Sequence, residues 1–192
     1  MIRIAEERDL PEMLSIYAPY VLETTHTFEY DVPTPEEFRA RFRSITAVFP
    51  WLVWEEEGRI LGYAYGSAPF ERAAYRWSSE TSVYLRPSAQ GRGIGRKLYT
   101  ALEKLLTLQG FLKNYAIITS ENSGSLAFHQ SLGYTLAARM PGCAYKFGKK
   151  LGIVWMEKDL TDFQIPSKFP DMWPFLRQDA EKFTDILDIL SL

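Results

Sequence analysis

Cysteine is nearly absent from this 192-residue chain, in which Cys143 stands alone. A single thiol forms no disulfide within the chain and builds no zinc site, and it suits a reducing compartment. No His or Asn arrangement points to Cys143, so it reads as a small apolar residue and not as a nucleophile. Long apolar runs are missing too. No stretch approaches the roughly 18 residues that a membrane span needs, and the opening MIRIAEERDLPEM has no apolar core of signal-peptide length. Charge of one sign is not in excess: 22 Lys and Arg face 24 Asp and Glu, a formal net charge of −2, so nothing global draws the protein to nucleic acid or to an anionic membrane. The sequence also lacks internal repeats and low-complexity segments. The expectation is a cytoplasmic protein of one ordinary domain with an appendage, large enough for a proper core and needing no metal.

What is present alternates between two periods. IRIA is a short strand, and Asp9 is placed to cap a helix to about Glu23, with Leu10, Met13, Leu14, Tyr17 and Val21 on one face. Thr34 and Pro35 open a second helix at TPEEFRARF, where two glutamates favour the positive end of the dipole. WLVWEEEGRILGYAYGSAPF predicts a hairpin turning at Glu57 and Gly58, and SSETSVYLR a third strand stopped by Pro87. A helix follows from Gly91 to about Gln109, ended by Gly110. YAIITS is a buried strand, and NSGSLAFHQSLGY a short helix between Asn122 or Ser123 and Gly133. YTLAARM and IVWMEKDL are strands joined by a loop rich in Gly and Lys. Beyond Leu160 three prolines suggest a surface strap, then a helix with Leu176, Ala180, Phe183, Leu187 and Leu190 on one stripe. That stripe fits packing on the chain's own domain or on a partner. The division is 1–160 for the main domain and 161–192 for the strap and helix.

One stretch, VYLRPSAQGRGIGRKLY, carries chemistry. A strand entering a glycine-rich turn before a helix offers free N–H groups and the positive helix end to an anion such as phosphate. Three designs compete. A triphosphate loop needs Lys-Ser or Lys-Thr after the last glycine, and none follows Gly95. A dinucleotide fingerprint needs G-x-G-x-x-G, whereas Gly91, Gly93 and Gly95 run G-x-G-x-G, some eighty residues into the chain. Gln90, Gly93 and Gly95 give Q-x-x-G-x-G behind a strand of a mainly antiparallel sheet. Downstream, Asn122, Ser125, His129, Gly133 and Tyr134 form N-x-x-S-x-x-x-H-x-x-x-G-Y.

These two motifs resemble the acetyl-CoA pyrophosphate loop and the following helix of the GNAT superfamily of N-acetyltransferases. Four segments narrow the resemblance to the branch of the phosphinothricin and methionine sulfoximine acetyltransferases: IYAPYVLETTHTFEYDVP, ERAAYRWSSETSVYLRPSAQGRGIG, ENSGSLAFHQSLGY and YKFGKKLGIVWMEKDL, in that family's order. The resemblance spans about Met1 to Leu160. It implies an α/β (α+β) GNAT fold, with a mixed, mostly antiparallel sheet flanked by helices and an added C-terminal helical tail, and acetyl-CoA as cosubstrate without a metal.

By the same resemblance, Val83, Tyr84 and Leu85 pair their backbones with the pantetheine arm, and their N–H groups serve as an oxyanion site. Gly91, Arg92, Gly93, Ile94, Gly95 and Arg96 hold the pyrophosphate, with Gln90 opening the loop; a solvated helix face is the other reading of the two arginines. Asn122 and Ser125 face the cofactor or cap their helix. Glu80, three residues before Val83, matches the family's general base, and burial near the acetyl group would raise its pKa into a useful range. His129 stands where many members carry the acid that protonates the thiolate. Phe28, Glu29, Arg72 and Tyr75 are expected at the acceptor, with Arg72 on an amino-acid carboxylate and Arg76 its competitor. His26 receives no role. Lys150 and Gly152 depart from the family's usual tryptophan and aspartate, which predicts a pocket of altered size and charge. The implied activity is acetyl transfer to the primary amine of a small amino acid or analogue by a homodimer, with no nucleic-acid or membrane partner. A peptide or protein N-acetyltransferase and a non-catalytic acyl-CoA-binding protein are the alternatives.

Overall fold

The computed structural model describes residues 1–162 and 165–191, and the side chains of Ala180, Glu181 and Leu187 lie outside that description. The stripe positions Ala180 and Leu187, and Phe163 and Gln164 of the strap, therefore fall outside the described residues. The elements run β1 (Ile2–Ile4), α1 (Leu10–Glu23), α2 (Pro35–Thr46), β2 (Trp51–Glu56), β3 (Arg59–Ser67), β4 (Ser78–Leu85), α3 (Ile94–Gln109), β5 (Lys113–Thr119), α4 (Ser123–Ser131), β6 (Thr135–Lys146), β7 (Lys149–Asp159), α5 (Trp173–Gln178) and α6 (Ala180–Leu190). Seven strands form one sheet in the order β1-β2-β3-β4-β5-β7-β6. Every described pairing is antiparallel except β4 with β5.

Period-two alternation divides the core between the two sheet faces. Trp51, Val53 and Tyr63 face α1 and α2, where Met13, Val21, Phe38 and Phe42 are buried. Leu52 and Ala64 face the opposite way, onto the apolar side of α3 formed by Leu98, Leu102, Leu105 and Leu106. Thr34 caps α2 as its sequence demands: its hydroxyl accepts from the Glu37 N–H at 3.2 Å while the Glu37 carboxylate takes the Thr34 N–H at 2.8 Å. Asp9 does not cap α1. Its carboxylate instead takes a forked contact from Arg3, at 2.7 and 2.9 Å, and the Glu6 N–H at 2.8 Å. The short helical turn Glu7–Asp9 carries Asp9 past the capping position, and the arginine claims it.

The Gly- and Lys-rich segment is not a loop. β6 and β7 extend through it to a tight turn at Phe147 and Gly148, both with positive φ, 51° and 71°. The irregularity falls within β6, where the register shifts between Met140 and Ala144 around Pro141, a residue with no N–H for a ladder. Cys143 is exposed there.

The tail packs on α3 and the sheet. Trp173, Leu176 and Ile186 enter the same cluster as α3, with Ile189 and Leu190 against it, while Phe183 is left 38% exposed. The buried stripe is thus centred on Ile186. Two short helices form, parted at Asp179, whose extended backbone breaks the run. Gln109, at the end of α3, ties the strap down by donating from its side-chain amide to Val48 O and Asp171 O, both at 2.8 Å.

Candidate active site

The cleft begins where two neighbouring strands stop pairing. β4 and β5 are in register only at Ser78, Ser79 and Glu80, although β4 runs on to Leu85 and β5 to Thr119. On its other edge β4 stays paired with β3 as far as Leu85, and the Arg86 N–H still reaches Leu61 O at 2.8 Å. Antiparallel pairing alternates, so Glu80, Ser82 and Tyr84 turn their backbone groups to β3 and Thr81, Val83 and Leu85 turn theirs to the gap. The trio expected from sequence is thereby split, because the Tyr84 backbone is engaged in the sheet while its ring lines the gap. The Tyr20 hydroxyl takes up the Leu85 groups, donating to Leu85 O at 2.7 Å and accepting from the Leu85 N–H at 3.3 Å.

The gap opens into a cleft of about 480 Å³ lined by Val83, Tyr84, Leu85, Gln90, Gly91, Gly95, Asn122, Ser125 and His129 from the predicted set. Gly91 and Gly93 have φ of 74° and 78°, which a side chain rarely adopts. Gly93 turns the chain into α3, whose first hydrogen bond is from the Lys97 N–H to Gly93 O. The amides of Ile94, Gly95 and Arg96 are left in the first turn without helical acceptors. Ile94 buries its side chain in the core. The two arginines turn elsewhere: Arg92 pairs with Glu56 at 2.8 Å, and Arg96 donates to Ser131 Oγ at 2.7 Å. Asn122 caps α4, accepting the Ser125 N–H at 3.0 Å, and it borders the cleft as well.

An annex of about 260 Å³ adjoins the cleft, with His26, Ser82, Tyr84, Ile117 and Thr119 bordering both. Glu80 lies in this annex with Phe28, Glu29, Tyr17, Tyr65 and Arg41. Its carboxyl makes no hydrogen bond or ion pair among the described residues, and burial raises its pKa to about 7. Burial also pushes the neighbouring Tyr65 hydroxyl up to about 12. His26 sits at the junction of the two cavities, its pKa lowered by burial and by the nearby Lys146 ammonium.

Arg72 and Tyr75 border neither cavity. Arg72 begins a short helical turn, and Tyr75 lies against Phe70 at 4.7 Å between ring centres. Arg76 instead lies over the Phe169 ring. Lys150 and Gly152 also stay outside both cavities. Lys150 runs past Gly142, and Gly152 lies close against Met140 O and Pro141 in the β6 irregularity. Sequence reasoning missed Arg41. Its signal was position, a charged residue between Phe38 and Phe42 beside the apolar face of α2.

Behind the cleft runs a buried polar chain whose protons can be assigned. His129 Nδ1 lies 2.7 Å from Ser125 O, a pure acceptor, so that nitrogen carries a hydrogen, and in the neutral ring Nε2 accepts. Tyr99 must then donate to Nε2, at 2.9 Å, and accept from the Thr81 hydroxyl. Thr81 in turn accepts from Asn114 Nδ2 at 2.9 Å. The second Asn114 hydrogen goes to Tyr134, which donates to Glu103 at 2.7 Å, and Lys158 closes the row on Glu103 at 2.6 Å. Ser79 holds the Asn114 carbonyl at 2.9 Å. Ser79, Thr81 and Asn114 sit at the fork, so this chain sets where the strands part. Burial lowers the His129 pKa. The ring borders the cleft with both nitrogens engaged.

No group of three or more His, Cys, Asp or Glu among the described residues is placed to hold a metal ion. No helix among them is long and apolar enough to cross a membrane.

The sequence matches the family described as an acetyltransferase (GNAT) domain over residues 2–155. It is 36% identical over 164 residues to a phosphinothricin N-acetyltransferase of Alcaligenes faecalis, covering 83% of this chain and 82% of that one. It is 32% identical over 166 residues to an L-methionine sulfoximine/L-methionine sulfone acetyltransferase of Salmonella typhimurium, covering 86% and 97%. Among solved structures, a GNAT superfamily phosphinothricin acetyltransferase from Sinorhizobium meliloti, in complex with acetyl-CoA, superposes with a TM-score of 0.84 at 34% identity, covering 88% of this chain and 94% of that one. The forked strands, the glycine turn into α3 and these matches lead to one statement: the chain belongs to the GNAT family of acetyltransferases.

Proposed function

We propose that this protein transfers acetyl from acetyl-CoA to the primary amine of a small amino acid or analogue of the phosphinothricin or methionine sulfoximine kind, with Glu80 as general base. One observation carries the reading: a half-buried carboxyl with no hydrogen-bond or ion-pair partner among the described residues, its pKa raised to about 7, stands where β4 and β5 part. The relatives' substrates support the acceptor class.

The residues present fit acetyl-CoA. The gap-facing backbone groups of Val83 and Leu85, the latter held by Tyr20, match the amides of an extended arm, and the first-turn amides after Gly91 and Gly93 match a pyrophosphate. Tyr20 would yield Leu85 to that arm. When bound, acetyl-CoA supplies the activated acetyl thioester. The Val83 N–H is aimed at the gap, where it can polarise a carbonyl. Glu80 accepts the ammonium proton, directly or through one water. An amine of pKa near 8 loses its proton to a base of pKa about 7 at a cost of only about 1.4 kcal/mol. His129, held between Ser125 and Tyr99 at the cleft wall, is the residue that would pass a proton to the departing thiolate. The departing thiol has an ordinary pKa of about 8.5, so the proton released in the reaction suffices for it.

A screen of primary amines with detection of free thiol tests the activity, and peptides in the same screen test the rival acceptor class. Cofactor binding without any product would establish a carrier instead. We also place the protein in the cytoplasm as a homodimer. The free Cys143 suits a reducing compartment, and the exposed apolar residues Ile117, Leu136, Met140 and Tyr145 at one end of the sheet suit a second copy. Sedimentation of the purified protein checks the assembly.

A further inference from the structure

The annex contains one guanidinium that the reaction scheme above leaves unused. Arg41 leaves α2 between the buried Phe38 and Phe42, crosses the Tyr17 ring at 6.0 Å from its centre and ends in the cavity that holds Glu80. Its Nη2 donates to Glu29 at 2.8 Å. A guanidinium has five N–H donors in a planar fork, so one carboxylate contact fixes its direction without exhausting it. Arg41 is also the one Arg or Lys among the residues lining the annex. Lys146 adds a second cation at the edge, its Nζ donating to Thr27 O at 2.8 Å. Two cations thus face one paired carboxylate, Glu29, and the base, Glu80. While Glu80 is uncharged these groups leave a surplus of one positive charge, and the cavity is smaller than the roughly 300–1,000 Å³ typical of drug-sized ligands.

We propose that Arg41 is the acceptor anchor: held in direction by Glu29, it binds the free carboxylate of a small amino acid whose amine lies at Glu80. This rests on the acetyl-transfer reading above and narrows it. The acceptor must carry both an amine and an anionic oxygen group within the span of one small cavity. Peptide termini and plain amines lack that second group there. Arg72, outside both cavities, does not compete for this role.

Discrimination between an amino acid and its carboxamide tests the claim, because the ratio within one preparation does not depend on how much of it is folded. L-Methionine sulfone and its carboxamide serve as probes, with free thiol as readout. Wild-type protein is expected to favour the acid by about 10- to 100-fold in kcat/KM, the worth of one charge-assisted contact. Arg41→Gln should remove most of that preference through the KM of the acid, with the KM of acetyl-CoA little moved. Arg41→Lys, which keeps the charge and loses the fork, should restore part of it. Equal turnover of acid and carboxamide by wild-type protein would overturn the anchor and leave the acetyltransferase reading standing. So would an unchanged ratio in Arg41→Gln. Turnover of neither probe, nor of any free amino acid in the wider screen, would remove the acetyl-transfer reading and the anchor with it.

Discussion

Glu80 and Glu103 are both glutamates set into the fold, on opposite sides of the same forked strand. Glu103 is met by the Tyr134 hydroxyl at 2.7 Å and the Lys158 ammonium at 2.6 Å. Glu80 meets no hydrogen-bond or ion-pair partner among the described residues, and burial raises its pKa to about 7. The difference separates structure from chemistry more sharply than burial does. A carboxylate whose lone pairs are answered inside the protein holds elements together, whereas one left unanswered beside a cavity is kept for a ligand. Each residue therefore has its own signature on substitution.

The largest expected effect is on turnover. Glu80→Gln keeps the shape and removes the basic oxygen, so kcat should fall by about 10²- to 10⁴-fold while acetyl-CoA affinity, measured by calorimetry, stays near wild type. The wild-type pH–rate profile should rise through a limb near pH 7, and the variant should lack it. Equal kcat in the two proteins would refute the base assignment.

The same substitution should stabilise the fold, which is the opposite of what Glu103 would do. Below an unfolded-state pKa near 4.5 Glu80 is protonated in both states and costs nothing. Between 4.5 and about 7 the unfolded chain releases the proton while the native state retains it, so stability falls as pH rises and levels off above 7. A shift of this size corresponds to a penalty of at most about 3 kcal/mol at pH 8. Glu80→Gln is expected to raise Tm at pH 8 by several degrees and to leave it unchanged at pH 4; scanning calorimetry at the two pH values measures the difference.

Glu103→Gln should behave inversely. The amide still receives Tyr134 and loses the ammonium contact, costing about 2 kcal/mol, or about 4–8 °C in Tm for a chain of this length. kcat should hold within a few-fold, because Glu103 touches neither cavity. A large loss of turnover with unchanged Tm would place Glu103 in the chemistry and dissolve the contrast.

How legible this was in the sequence differs between the two glutamates. Glu80 was visible through its spacing from Val83 and the resemblance, and the glycine turn at Gly91 and Gly93, the Thr34 cap and the Glu57-Gly58 hairpin were all local signals with local causes. Glu103 was not visible, because its partners lie 31 and 55 residues away and meet only when β5, α4 and β7 close over α3. Arg41 and the fate of Arg72 were hidden for the same reason: which arginine reaches a cavity depends on how α2 docks, and periodicity says only that Arg41 lies beside an apolar face. The loop expected between β6 and β7 failed differently. Gly142, Gly148 and Pro141 are breakers by type, yet a long antiparallel hairpin absorbs them as a bulge and a turn.

The finest test of the comparison makes Glu103 more like Glu80. Lys158→Met removes the ammonium that lies 2.6 Å from Glu103 and 5.6 Å from the centre of the Tyr134 ring, and leaves the carboxylate with the tyrosine alone. Lys158 is partly exposed, so the pair is worth about 1 kcal/mol, and Tm at pH 8 should drop by about 2–4 °C. Salt should narrow it less than for the exposed pair of Arg92 with Glu56, since water reaches Glu103 less freely. Turnover should not move. If salt left the Lys158→Met deficit wholly unchanged, the lysine would be acting through its packing on Tyr134, and Glu103 would owe its settled state to the tyrosine alone.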